Sequence, residues 1–170
     1  MKRKFITATL FTLAVLLALL SVRLFSVTGS LERIEKECEI TLPKGSAEVF
    51  CEKHVFDRSA HSKIAIIVEV PTDNCKSFAE ELWQIGWKAV PVGKDEQSVL
   101  ELCKGGVDRR FSEGLFDALL HPGSVFFSKD RFDEIYPGIY DGFDNRSEVF
   151  FTFAMYCPEN GRLFYFEVDE

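Results

Sequence analysis

A chain of 170 residues, 46% hydrophobic and with a formal net charge of −7, has room for one ordinary domain and hardly two. Its composition excludes a disordered, collagen-like or multi-span membrane protein, and its acidic balance argues against a nucleic-acid partner. The mean hydropathy of +0.01 is high for a soluble domain and signals an uneven distribution along the chain.

The unevenness lies at the N-terminus. Lys2, Arg3 and Lys4 precede an apolar run from Phe5 to Val22, and Leu24, Phe25 and Val27 continue it beyond Arg23. A helix needs roughly 20 predominantly apolar residues to cross a bilayer core. Residues 1–29 therefore read as a signal anchor whose partner is the lipid bilayer, with Arg23 snorkelling to the head groups. The early cations keep the N-terminus cytoplasmic and place the C-terminal domain outside a single-pass cell-membrane protein. The alternative is secretion after signal cleavage, with Val27-Thr28-Gly29 as an imperfect site. Residues 1–29 hold four of the 20 Lys and Arg and none of the 27 Asp and Glu, so the other 141 residues carry a net charge of −11. Arg109-Arg110 is the basic pair that stands out, and it reads as ordinary surface.

Residues 30–37 contain Leu31 and Ile34 among charged neighbours and read as a juxtamembrane stalk, short and helical or flexible and not a core element; residues 38–170 read as an extracytoplasmic domain. Cys38 to Leu42 alternates and can start a sheet, and Pro43 to Ser46 is a turn. Val49 to Phe56 and Lys63 to Val70 read as a hairpin around Asp57 to Ala60. The second strand is almost continuously apolar, which places it centrally with both faces covered. Pro71-Thr72 opens a helix, capped by Thr72 or Asp73, with an apolar stripe of Cys75, Phe78, Ala79, Leu82 and Ile85. Gly86 ends it in the left-handed region.

Trp87 to Pro91 returns as an extended segment. Glu96 to Cys103 and Phe111 to Leu120 read as further helices, stopped by Gly105-Gly106 and His121-Pro122-Gly123. Ser124 to Phe127 is extended. Ser128 to Asn145 reads as a long surface loop, with one helical turn at Asp130 to Ile135. Glu148 to Cys157 and Arg162 to Val168 form a terminal hairpin around Pro158 to Gly161. In its second strand Phe164, Phe166 and Val168 share one face, and Leu163, Tyr165 and Glu167 the other. The expected fold is α+β: a transmembrane helix, then a mainly antiparallel sheet with two or three helices packed on one face.

Chemistry-bearing patterns are sparse. The five cysteines, Cys38, Cys51, Cys75, Cys103 and Cys157, cannot all pair within one chain and leave room for one or two disulfides. None forms a C-x-x-C, so neither a zinc ribbon nor a thioredoxin-like site is supported. Cys51, His54, Asp57 and His61 are the residue types that zinc takes, but a strand sends Cys51 and His54 to opposite faces. Asp141, Asp144, Asn145 and Glu148 have oxygen chemistry suited to calcium, yet Phe143 occupies a ligand position of the EF-hand pattern. No G-x-S-x-G elbow, Walker A loop or dinucleotide fingerprint occurs. The expectation is no metal, no cofactor and no catalytic residue. Asp130 with Asp133 or Glu134 supplies the kind of carboxylate pair that an acid-based hydrolase would use.

Aromatic content is the remaining anomaly, with 17 Phe, four Tyr and two Trp. Most suit a Phe-rich core. Tyr136, Tyr140, Asp141, Phe143 and Asp144 mark the long loop as a candidate interaction surface, since exposed aromatics anchor interfaces.

The stretches Trp87 to Pro91, Pro137-Gly138-Ile139-Tyr140, Phe151 to Tyr156 and Leu163 to Asp169 carry a resemblance over residues 38–169. In them the chain resembles an uncharacterised group of small membrane-anchored or exported bacterial proteins, mainly from Gram-positive organisms. The resemblance implies no activity and transfers no catalytic residue. The expected function is that of a membrane-anchored extracytoplasmic binding domain with a protein partner. Two alternatives remain: an immunity-type protein neutralising a basic toxin, for which the acidic domain is suited, and an envelope hydrolase using acidic residues.

Overall fold

The computed structural model describes residues 29–55, 62–135 and 148–169. The apolar N-terminal run lies outside them. Among the described residues no helix is long and apolar enough to cross a membrane.

Six strands form one antiparallel sheet: β1 (Ala47–Val55), β2 (Ser62–Glu69), β3 (Lys88–Ala89), β4 (Val125–Asp130), β5 (Phe150–Cys157) and β6 (Arg162–Asp169). Their spatial order is β1-β2-β6-β5-β4-β3, and every neighbouring pair is antiparallel. The C-terminal hairpin thus fills the middle of the sheet, with Ile66 opposite Tyr165 and Phe153 opposite Phe166. The helices are α1 (residues 29–38), α2 (Cys75–Gln84, entered through a 3-10 turn at Thr72–Asn74), α3 (Lys94–Gly106), α4 (Arg109–Leu120) and the single turn α5 (Phe132–Ile135).

The α+β class and the antiparallel sheet agree with the sequence; the placement of helices on one face does not. Side-chain alternation divides the sheet into two apolar faces, and each is covered. Ala65, Ile67, Phe153, Phe164 and Phe166 pack under α3 and α4, which contribute Leu100, Cys103, Phe111 and Leu115. Ile64, Ile66, Val68, Leu163 and Tyr165 pack under α1 and α2, which contribute Ile34, Cys38, Phe78 and Leu82. An apolar residue on either face needs a cover, so a sheet this apolar on both sides forms the middle of three layers. Gly114 lets α4 sit close to the sheet, because a Cβ there would stand 2.9 Å from the Phe164 ring.

The stalk is helical, one of the two forms expected, but its exclusion from the core is a second correction. Residues 29–38 form a helix whose Ile34 is fully buried and whose Cys38 is 1% exposed, four residues apart on one helical face. Cys38 therefore closes a helix and does not open a strand. In α2 the stripe holds at Cys75, Phe78 and Leu82, but neither Thr72 nor Asp73 is the cap; Pro71 and Asn74 stand at the N-cap positions without a side-chain cap bond. Ile85 leaves the stripe: it is the C-cap residue, at φ −87° and ψ 7°, where the helix unwinds, and it is exposed. Gly86 takes φ +97° as expected. β4 runs on through Asp130 and α5 supplies the expected helical turn; residues 136–147 lie outside the description.

Candidate functional site

The loop residues Tyr136, Tyr140, Asp141, Phe143 and Asp144 all lie outside the described residues, as do Asp57 and His61 of the zinc pattern. Of the remaining zinc candidates, Cys51 is exposed near Ser30 (Sγ to Oγ 3.9 Å), whereas His54 bonds Glu52 at 2.6 Å. No group of three or more potential metal ligands converges among the described residues. All five cysteines are free thiols, and four of them are buried. Burial raises the thiols of Cys38 and Cys103 well above their ordinary value, which suits core packing and opposes nucleophilic use. Asp130 accepts from the Phe132 backbone N–H at 2.9 Å, closing α5 at its start.

A polar cluster is buried where α1 crosses β6. Glu167 is 1% exposed. Arg33 grips it with two bonds, Nε to Oε2 at 2.8 Å and Nη2 to Oε1 at 2.6 Å. The Tyr165 hydroxyl donates to Oε2 at 2.6 Å, Arg131 Nη2 stands 3.3 Å from Oε1, and the same guanidinium pairs with Asp169. Burial alone would raise the Glu167 carboxyl, but Arg33 and Tyr165 outweigh it and hold the pKa below the usual carboxylate value. The Tyr165 hydroxyl is pushed up, by burial first and then by the Glu167 charge. The cluster thus favours an ionised Glu167 and a protonated Tyr165. Two cations facing two carboxylates fasten α1 to the sheet.

The open surface lies at the far ends of α1 and α2. Each helix closes with the same carbonyl-saving turn. At α1 the Ile40 N–H donates to the Glu35 carbonyl at 3.0 Å; at α2 the Trp87 N–H donates to Leu82 at 3.0 Å and Gly86 to Trp83 at 3.1 Å. This turn needs a left-handed residue just past the helix, normally glycine. At α2 that residue is Gly86; at α1 it is Glu39, at φ +55°. The two ends line two adjoining concavities that share Glu39 and Ile85 and form the two lobes of a groove. The lobe of about 210 Å³ is bounded by Cys38, Glu39, Gly86, Trp87 and Phe127. The other, of about 280 Å³, lies between Glu39, Ile40, Phe78, Glu81 and Ile85.

Apolar side chains form the groove's floor, and carboxylates stand at its rim. Glu39 and Glu81 are exposed, and neither has an ion-pair partner among the described residues. Lys88 also lines the smaller lobe, but its ammonium faces Glu96 at 3.5 Å, which in turn accepts from the Ser128 hydroxyl at 2.9 Å. The Trp87 indole N–H is buried without an acceptor among the described residues. Ile85, 56% exposed, lines both lobes just past the end of α2, whereas Trp83, 57% exposed, lies in the last turn of α2 and borders a separate concavity with Ala79, Gln84 and Val125.

Sequence reasoning missed Glu39 and Glu81, and it placed Ile85 in the apolar stripe of α2 and not at an open groove. Its one available signal was a helix-ending pattern over residues 34–40 with glutamate at the glycine position. No family model matches the chain, and no curated protein or solved structure matches it.

Proposed function

We propose that the chain is a membrane-anchored binding domain held outside the cytoplasm by its N-terminal apolar segment, and that the groove between α1 and α2 receives a protein partner. The observation that carries this reading is an apolar cluster open to solvent at one concavity. Ile85 is more than half exposed and borders a groove floored by Ile40, Phe78 and Leu82. Solvent-facing apolar clusters beside a concavity are characteristic of interaction sites. The acidic rim favours the immunity-type form of this reading, in which the partner is basic.

The test is site-directed photo-cross-linking of the full chain in intact cells. A photoreactive residue at position 85 should give a discrete adduct in the membrane fraction. The same residue at position 120 should give none, although Leu120 is 80% exposed. Adducts at neither position, or equally at both, would count decisively against the groove as the binding surface. External protease should also remove the domain while leaving the membrane-embedded segment protected.

A further inference from the structure

We infer that the groove recognises a cationic, apolar-flanked peptide segment of its partner, with an arginine or lysine side chain seated between Glu39 and Glu81. This rests on the binding reading above and names the chemistry of the partner.

Four sources of negative potential meet at the groove. The C-terminal ends of α1 and α2 both border it, and each helix end carries roughly half a negative charge. Glu39 stands immediately past the end of α1, and Glu81 lies in the last turn of α2, which contains no basic residue. Stability alone would select the opposite arrangement. A cation belongs near a helix C-terminus, and glycine belongs at the left-handed position after it. Glu39 departs from both preferences at one residue, with its backbone at φ +55° in a region where glutamate is uncommon. Departures of this kind concentrate at binding sites. The floor explains why the occupant is a side chain on a peptide and not a free inorganic cation. Ile40, Phe78, Leu82 and Ile85 offer contact to an aliphatic stem and its apolar neighbours, as lysine and arginine present them. The domain's net charge of −11 beyond residue 29 steers a basic partner toward the same surface.

The probe is a blocked pentapeptide alternating leucine and arginine, titrated calorimetrically into the full chain in neutral detergent at low salt. Binding should weaken about tenfold for each of Glu39→Gln and Glu81→Gln, and a peptide with citrulline in place of arginine should bind at least tenfold more weakly. Lys88→Gln removes the cation beside the groove and should tighten binding, a gain that misfolding cannot imitate. Glu101→Gln with Glu113→Gln removes two carboxylates from α3 and α4 and should leave affinity unchanged. Equal affinity of the Glu39→Gln and Glu81→Gln variants and the unaltered chain would overturn the inference. So would equal binding of the citrulline peptide, or an equal loss in the Glu101, Glu113 control. A cross-link at position 85 that persists in the Glu39→Gln, Glu81→Gln double variant would leave the binding domain standing and refute its cationic partner.

Discussion

At the scale of single residues, the decisive side chain is Glu167, a carboxylate 1% exposed in the middle of a sheet face. Leaving such a charge without its cation costs more than the pair contributes when intact. Arg33→Met should therefore destabilise the fold by about 2 kcal/mol at pH 7, below the 3–5 kcal/mol of a fully buried pair because Arg33 remains 39% exposed. The pH dependence follows from the direction of the shift. A carboxyl held below its unfolded pKa contributes stability that is present above the unfolded value and is lost as pH falls through the folded one. Without Arg33, burial dominates and Glu167 takes up its proton earlier. The difference between the variant and the unaltered chain should accordingly narrow as pH falls from 7 toward 3, measured by urea titrations at each pH. A difference that is constant across this range would mean that Arg33 acts through packing alone.

Among the elements, the strands were legible and α1 was not. β2, β5 and β6 announce themselves because their apolar residues run or alternate over eight positions, and strand periodicity is local. Gly86 was equally readable, since a glycine after an apolar stripe needs no distant information. α1 shows only Leu31, Ile34 and Cys38 as apolar residues. Its strongest anchor is a pair separated by 134 positions in the chain, which no local pattern displays. The groove was hidden for the same reason, being assembled from the ends of two helices that are remote in sequence. Its key residue, Glu39, becomes meaningful only once residues 29–38 are known to be helical. Glu39→Gly should raise stability by up to about 1 kcal/mol by relieving the left-handed backbone and the helix-end repulsion. The same change should weaken the cationic peptide about tenfold. Thermal unfolding and peptide titration of one protein preparation would check both, and parallel movement of the two quantities would contradict the assignment.

At the scale of the whole molecule, the described residues form three layers, and the thiols are distributed accordingly. Cys103 and Cys157 lie on the α3 and α4 side, Cys38 on the other, and Cys75 is also buried; Cys51 alone is exposed. Brief maleimide treatment of the native chain should add one label, at Cys51, and treatment in denaturant should add five, read by intact mass. More than one native label would show that one of the two cores is open. The sheet order carries a further consequence, for the order of events during folding. β1 and β2 can close as a local hairpin, and β4 can gather β3. These two halves share no strand pairing until β6 slots between β2 and β5. The ladder that joins them pairs residues 62–69 with 162–169, so about a hundred residues must be threaded past before it forms. Such non-local closure is slow compared with helix or hairpin formation. A chain synthesised from its N-terminus would therefore hold its first hairpin unpaired along one edge until its final strand emerged. During that interval the exposed edge of β2 would be the segment most in need of protection from aggregation.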